Sequence, residues 1–82
     1  MKQVVFHRPA LRMLSRMPRN EAEKVREKIF QYAAEPGSLA ANVKKLQGRE
    51  GFRLRVGNWR VIFDEGGNIL DILDIGSRGS IY

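Results

Sequence analysis

Cysteine is absent from the 82-residue sequence, which excludes disulfide staples, thiolate chemistry and Cys-ligated zinc or iron–sulfur sites. There is one histidine, His7, too few imidazoles for a His-based metal site, so no metal and no cofactor is expected. No apolar run is long enough to span a membrane, and the opening MKQVVFHRP lacks the apolar stretch of a signal peptide. A cytoplasmic location without a membrane partner is the expectation. Acidic residues are scarce beside basic ones: nine Asp and Glu against fifteen Lys and Arg, a formal net charge of +6. That balance favours polyanionic partners through counterion release, either nucleic acid or an acidic protein surface, although basic side chains also serve plain solubility. What is present is ordinary for a globular protein, 43% hydrophobic and 29% charged. The length fits one domain over residues 1–82, with a modest core.

Local patterns divide the chain into elements. Residues 2–6, KQVVF, read as a strand that ends at the HRP turn signal. Pro9 suits the first turn of a helix, with Leu11, Leu14 and Met17 as its apolar stripe and Pro18 as its stop. Asn20 reads as the cap of a second helix, in which Ala22, Val25, Ile29 and Ala33 recur at helical spacing up to Pro36-Gly37. Residues 36–50 read as a loop with Leu46 as apolar anchor and Lys44, Lys45 and Arg49 as basic residues. Three strands follow over 51–56, 59–65 and 68–75, joined by two-residue turns at Gly57-Asn58 and Gly66-Gly67. The predicted fold is α+β, in the order β-α-α-β-β-β, a helical hairpin packed on one face of an antiparallel sheet.

Two-residue hairpins fix a register. Val56 then faces Trp59, Leu54 faces Val61 and Phe52 faces Phe63; on the next ladder Phe63 faces Leu70, Val61 faces Ile72 and Trp59 faces Asp74. Side chains alternate along a strand, so these residues share the core face. The other face carries Arg53 beside Ile62 and Asp71, and Arg55 directly opposite Arg60 with Leu73 beyond. Like charges opposed across strands are unfavourable by about 0.2–1 kcal/mol and call for an anion, unless Asp64 and Asp71 neutralise them as part of a solvated charged face. Arginine in such a place suits phosphate, which guanidinium binds through paired planar donors.

The segment from Lys45 to Tyr82 resembles the C-terminal half of RelE-type toxins of the RelE/ParE superfamily. The matching residues are Leu46-Gln47-Gly48, Phe52-Arg53-Leu54-Arg55-Val56-Gly57, Trp59-Arg60-Val61, Gly76-Ser77-Arg78 and Ile81-Tyr82. The first half matches only by element order. The resemblance implies the toxin of a type II toxin–antitoxin system: an mRNA endoribonuclease, metal-independent and ribosome-dependent, that inhibits translation. Its implied partners are mRNA, the ribosome around the A site of the small subunit, and a cognate antitoxin held in a toxin–antitoxin hetero-oligomer.

By position, Arg53, Arg55, Arg60, Arg78 and Tyr82 correspond to the family's cleavage residues, with Tyr82 the candidate base; Lys44, Lys45 and Arg49 are candidates for RNA phosphate contact. Arg53 stands where well-known members carry Lys, which limits it to electrostatics, and Ser77 stands where many carry His. Two other readings stay open: a ParE-like toxin that inhibits DNA gyrase without nuclease activity, and a non-catalytic RNA-binding module. The closing Gly-x-Arg with a terminal Tyr favours the ribonuclease. Outside the motif, His7 reads as a turn residue and Trp59 as a packing residue. Asp64, Asp71 and Asp74 do not converge in the inferred register, as a two-metal nuclease would require.

Overall fold

The computed structural model describes residues 1–77. Along the chain run strand β1 (Gln3–Phe6), helices α1 (Arg8–Arg16) and α2 (Arg19–Ala34), a 3-10 stretch (Pro36–Asn42), and strands β2 (Val43–Lys45), β3 (Phe52–Val56), β4 (Trp59–Gly66) and β5 (Ile69–Ser77). The strands form one sheet in the order β1-β5-β4-β3-β2. Every neighbouring pair is antiparallel except β1 and β5, which run parallel. The sheet is therefore mostly antiparallel where a wholly antiparallel one was expected. Beyond the meander, β1 joins the free side of β5, and its direction is set by the helical connection rather than by a hairpin.

Proline punctuates the helices. Pro9 lies in the first turn of α1, where its missing N–H costs no hydrogen bond. Pro18 holds Met17 extended (φ −80°, ψ 161°) and ends α1 there. Pro18 also caps α2, in place of the expected Asn20: its fixed φ already suits a helix start, and its carbonyl accepts from the Ala22 N–H at 2.9 Å. In α1 the buried stripe is Ala10, Leu14 and Met17, spaced i, i+4 and i+7, while Leu11 is 51% exposed. In α2 the expected Ala22, Val25, Ile29 and Ala33 are all buried, joined by Tyr32. They meet Leu54, Val61, Phe63, Leu70, Ile72 and Ile75 from the sheet in a single cluster. Each fully buried aliphatic side chain contributes about 1.5–3 kcal/mol.

Residues 36–50 depart from the expected loop. Pro36–Asn42 coils in 3-10 turns with a kink at Leu39 (φ −119°, ψ 17°), and Leu39 rather than Leu46 is the buried anchor. Val43–Lys45 then pair antiparallel with β3, setting Val43 against Leu54 and Lys44 against Arg53. Three residues, two of them lysines, carry too short a pattern to be read as a strand.

The β3–β4 ladder holds the predicted register, with Gly57 at φ 59° in its turn. The β4–β5 ladder does not. Gly66 pairs with Ile69, so the turn is Gly67-Asn68, with the glycine (φ 58°) at the first central position that a II′ turn reserves for it. Phe63 consequently faces Ile72 instead of Leu70, and a bulge follows, with Leu73 as the extra residue between Ile72 and Asp74. Val61 therefore faces Ile75, and Trp59 faces Ser77. The physical reason is plain: continued from this turn, an unbroken ladder would set the Asp74 carboxylate into the core opposite Val61 and turn Ile75 out. The bulge buries Ile75 and moves Asp74 to the open face.

Among the described residues, no helix is long and apolar enough to cross a membrane.

Candidate functional site

The face away from the helices is organised in rows across the strands. One row runs Lys44, Arg53, Ile62 and Asp74; the next runs Arg55, Arg60 and Gly76. These replace the expected rows that ended at Asp71 and Leu73, because the turn at Gly67-Asn68 moves each partner on β5 by two residues and the bulge by one more. Arg55 and Arg60 are directly opposed, as the register predicts. Extending β2 by one residue puts Asn42 beside Arg55.

Together Ala41, Asn42, Lys44, Arg53, Arg55 and Arg60 line a cleft of about 180 Å³. Four of its six lining residues are cations and none is a carboxylate, so its potential is positive and unneutralised from within. Arg60 is 8% exposed, and one of its Nη atoms donates to the carbonyls of Gly57 and Trp59, each at 3.0 Å. Those bonds pin its guanidinium against the β3–β4 turn. Among the described residues no carboxylate lies within ion-pair distance of it. A buried guanidinium held by neutral carbonyls, with a second arginine opposite, keeps charge available for an anion.

Of the residues singled out from sequence, the fold brings Lys44, Arg53, Arg55 and Arg60 together. Lys45 pairs with Phe52 and so stands on the helix side of β2, while Arg49 lies in the loop between β2 and β3; neither lines the cleft. Arg78 and Tyr82 fall outside the described residues. Ala41 and Asn42 were missed, since their place depends on a strand the sequence pattern did not reveal.

The carboxylates stand elsewhere than expected. Asp64 and Asp71 are directly paired on the open face, contrary to the inferred register, and Asp71 Oδ1 lies 3.0 Å from His7 Nε2. His7 thus joins the start of α1 to β5 instead of serving only as a turn residue. Among the described residues no group of three or more His, Asp or Glu is placed to hold a metal ion. On the helix side, Trp59 packs against the core and donates from Nε1 to Glu21 Oε1 at 3.1 Å. Tyr32 donates to Glu65 Oε1 at 2.8 Å, and Lys2 Nζ lies 3.0 Å from Glu65 Oε2. Burial, then the Glu65 hydrogen bond and its negative charge, push the Tyr32 phenol up to about 12.

A family model described as the ParE toxin of the type II toxin–antitoxin system parDE matches residues 4–82. Among solved structures, the chain is similar to the toxin–antitoxin complex RelBE2 of Mycobacterium tuberculosis, with 26% identity, a TM-score of 0.79, and coverage of 94% of this chain and 98% of that one. It is similar to the archaeal RelE–RelB complex of Pyrococcus horikoshii, at 24% identity and a TM-score of 0.78 over 96% of this chain and 97% of that one. The isolated Escherichia coli RelE toxin matches at 16% identity and a TM-score of 0.76, over 95% of this chain and 85% of that one. At the two lower identities the likeness is one of fold alone. No curated protein sequence matches the chain.

Proposed function

Since the chain belongs to the ParE toxin family of type II toxin–antitoxin systems, within the RelE/ParE superfamily, we propose that it acts as a single-domain toxin that cleaves mRNA on the ribosome. What carries this reading is the cleft: four cations, one of them a buried arginine fixed to the backbone, with no carboxylate among the lining residues. Such a site fits a phosphodiester and gathers charge stabilisation where a phosphorane transition state needs it.

In this mechanism the ribose 2′-hydroxyl attacks the adjacent phosphorus, the bond to the 5′-oxygen breaks, and the departing 5′-oxygen takes a proton from water, so that a 2′,3′-cyclic phosphate and a 5′-hydroxyl end result. Arg55 and Arg60 bind the phosphate oxygens across the β3–β4 ladder, and Arg53 and Lys44 flank the strand. Arg78 adds charge from the end of the chain, and Tyr82 removes the 2′ proton. The arginines take no proton-transfer role, because a guanidinium stays charged at any working pH. Lys45 and Arg49 would meet RNA phosphate outside the cleft, on its approach to the ribosome. The partner that silences the toxin is a cognate antitoxin, as in the RelE–RelB complexes the fold resembles.

The family model itself favours a second reading, a ParE-type toxin that inhibits DNA gyrase without nuclease activity. The two part in one experiment. Purified toxin is added to a cell-free translation reaction, the mRNA is mapped by primer extension, and supercoiled DNA with gyrase is scored for breaks. Cleaved mRNA that requires ribosomes supports the ribonuclease. Intact mRNA with gyrase-dependent DNA breaks overturns it.

A further inference from the structure

The cations of the cleft hold phosphate whatever base is attached, because a phosphate contact positions a strand and carries no sequence information. A base edge that carries both a donor and an acceptor, as adenine's does, is matched by a side chain that both donates and accepts hydrogen bonds. Among the six lining residues only Asn42 has such a group; the others are one alanine, one lysine and three arginines. Its placement follows from the backbone. The 3-10 stretch ends at Asn42, and Val43 then enters β2 opposite Leu54 on the core side. Alternation along the strand puts Asn42 on the open face, beside Arg55 and in line with Arg60. Its side chain is exposed and, among the described residues, makes no hydrogen bond to the protein. An amide so placed has both its carbonyl and its NH2 open to a ligand.

Building on the ribonuclease reading above, we propose that Asn42 is a specificity-determining residue: it reads the edge of the base next to the phosphate held by Arg55 and Arg60. An asparagine amide matches adenine best, accepting from the exocyclic N6 amino group while donating to N7. In single-stranded RNA that edge is open to a side chain, since the bases are unstacked and splayed. Asn42 therefore biases the cut toward sites with adenine beside the scissile phosphate. A good bidentate pair discriminates between bases by roughly ten- to a hundred-fold, the low to middle part of the range such pairs show.

The test is sequencing of cleavage sites on a randomised mRNA in the ribosome-containing reaction, with the wild type, Asn42→Ala, Asn42→Gln and Arg55→Ala compared. Expected are adenine enrichment beside the cut for the wild type, loss of that enrichment in Asn42→Ala with total cleavage kept within a few-fold, and partial retention in Asn42→Gln. Arg55→Ala should lower cleavage at all sites and leave the enrichment intact, which separates base reading from phosphate binding. An unchanged base distribution in Asn42→Ala, with cleavage retained, overturns the role of Asn42 and leaves the ribonuclease reading standing. A wild type that cuts no RNA removes both. Circular dichroism of each variant guards against misfolding, and a folded Asn42→Ala that has lost all cleavage also overturns the proposal, because base reading alone does not set the overall rate.

Discussion

Tyr32 offers a quantitative test of the helix-side packing. Its hydroxyl donates to Glu65, which is tied in turn to Lys2, and burial together with that acceptor pushes the phenol from 10.0 to about 12. The fold therefore favours the neutral phenol. Below pH 10 both folded and unfolded chains keep the proton, and the full contribution to stability is present. Between pH 10 and 12 the unfolded chain ionises while the folded one resists, so stability falls as pH rises toward the folded value. A rise of this size corresponds to about 2–3 kcal/mol lost by the end of that window. Tyr32→Phe removes both the hydrogen bond and the titration. At pH 8 the variant should be less stable by about 1 kcal/mol, the net worth of one such bond. The wild-type advantage should vanish near about pH 11 and reverse above it. Urea unfolding of both proteins at steps from pH 8 to 12 measures the difference, in which the titration of lysines common to both cancels. Parallel stability curves across that range would refute the account of the Tyr32–Glu65 pair.

The cleft and the bulge give the remaining predictions. Arg60→Ala should lower mRNA cleavage by about 10²–10³-fold, the usual loss for one donor to a developing oxyanion, with Arg60→Lys recovering only part because it lacks the planar fork; single-turnover rates near wild type would remove Arg60 from the chemistry. Binding of a non-cleavable single-stranded RNA should weaken with salt at a log–log slope of about −3 for four cations, and Lys44→Ala should reduce that slope by about 0.7. Lys45→Ala, on the helix side of β2 and outside the cleft, should reduce the slope by less than Lys44→Ala does; equal effects of the two lysines would contradict the facing assigned to them. Deleting Leu73 removes the extra residue and leaves an unbroken ladder in which Ile72, Asp74 and Ile75 keep their present faces, so the variant should fold with a urea midpoint close to that of the wild type. A deletion variant that loses about 3 kcal/mol or more, as burial of Asp74 would cost, would show that Leu73 is not the extra residue of the ladder.

How much of this arrangement was legible in the sequence follows from where each piece of register is decided. The β3–β4 ladder, and with it the opposition of Arg55 and Arg60, depends on one glycine turn of fixed length, and so could be read directly. The helical hairpin was legible from apolar spacing, although the cap of α2 was not: Asn20 has the better capping side chain, but Pro18 has the better backbone. The third strand of the cleft wall was hidden because Val43 is its only apolar residue, and its pairing is a tertiary fact set by Leu54 rather than a local preference. That concealed Asn42 as well.

The β4–β5 ladder is the most instructive case, because its error was visible in advance. An unbroken pairing set a carboxylate, Asp74, opposite an indole on the core side, a conflict between polarity and burial that a native sheet does not tolerate without a partner. The conflict called for one extra residue between Phe63's partner and Asp74, and Leu73 supplies it. The same residue then decides the chemistry of the open face. With the bulge, Gly76 rather than Ile75 stands beside Arg60, and Asp74 shares the row of Arg53 without lining the cleft. The faces of Asp74 and Ile75, and the residue that stands beside Arg60, thus depend on a single extra residue in β5.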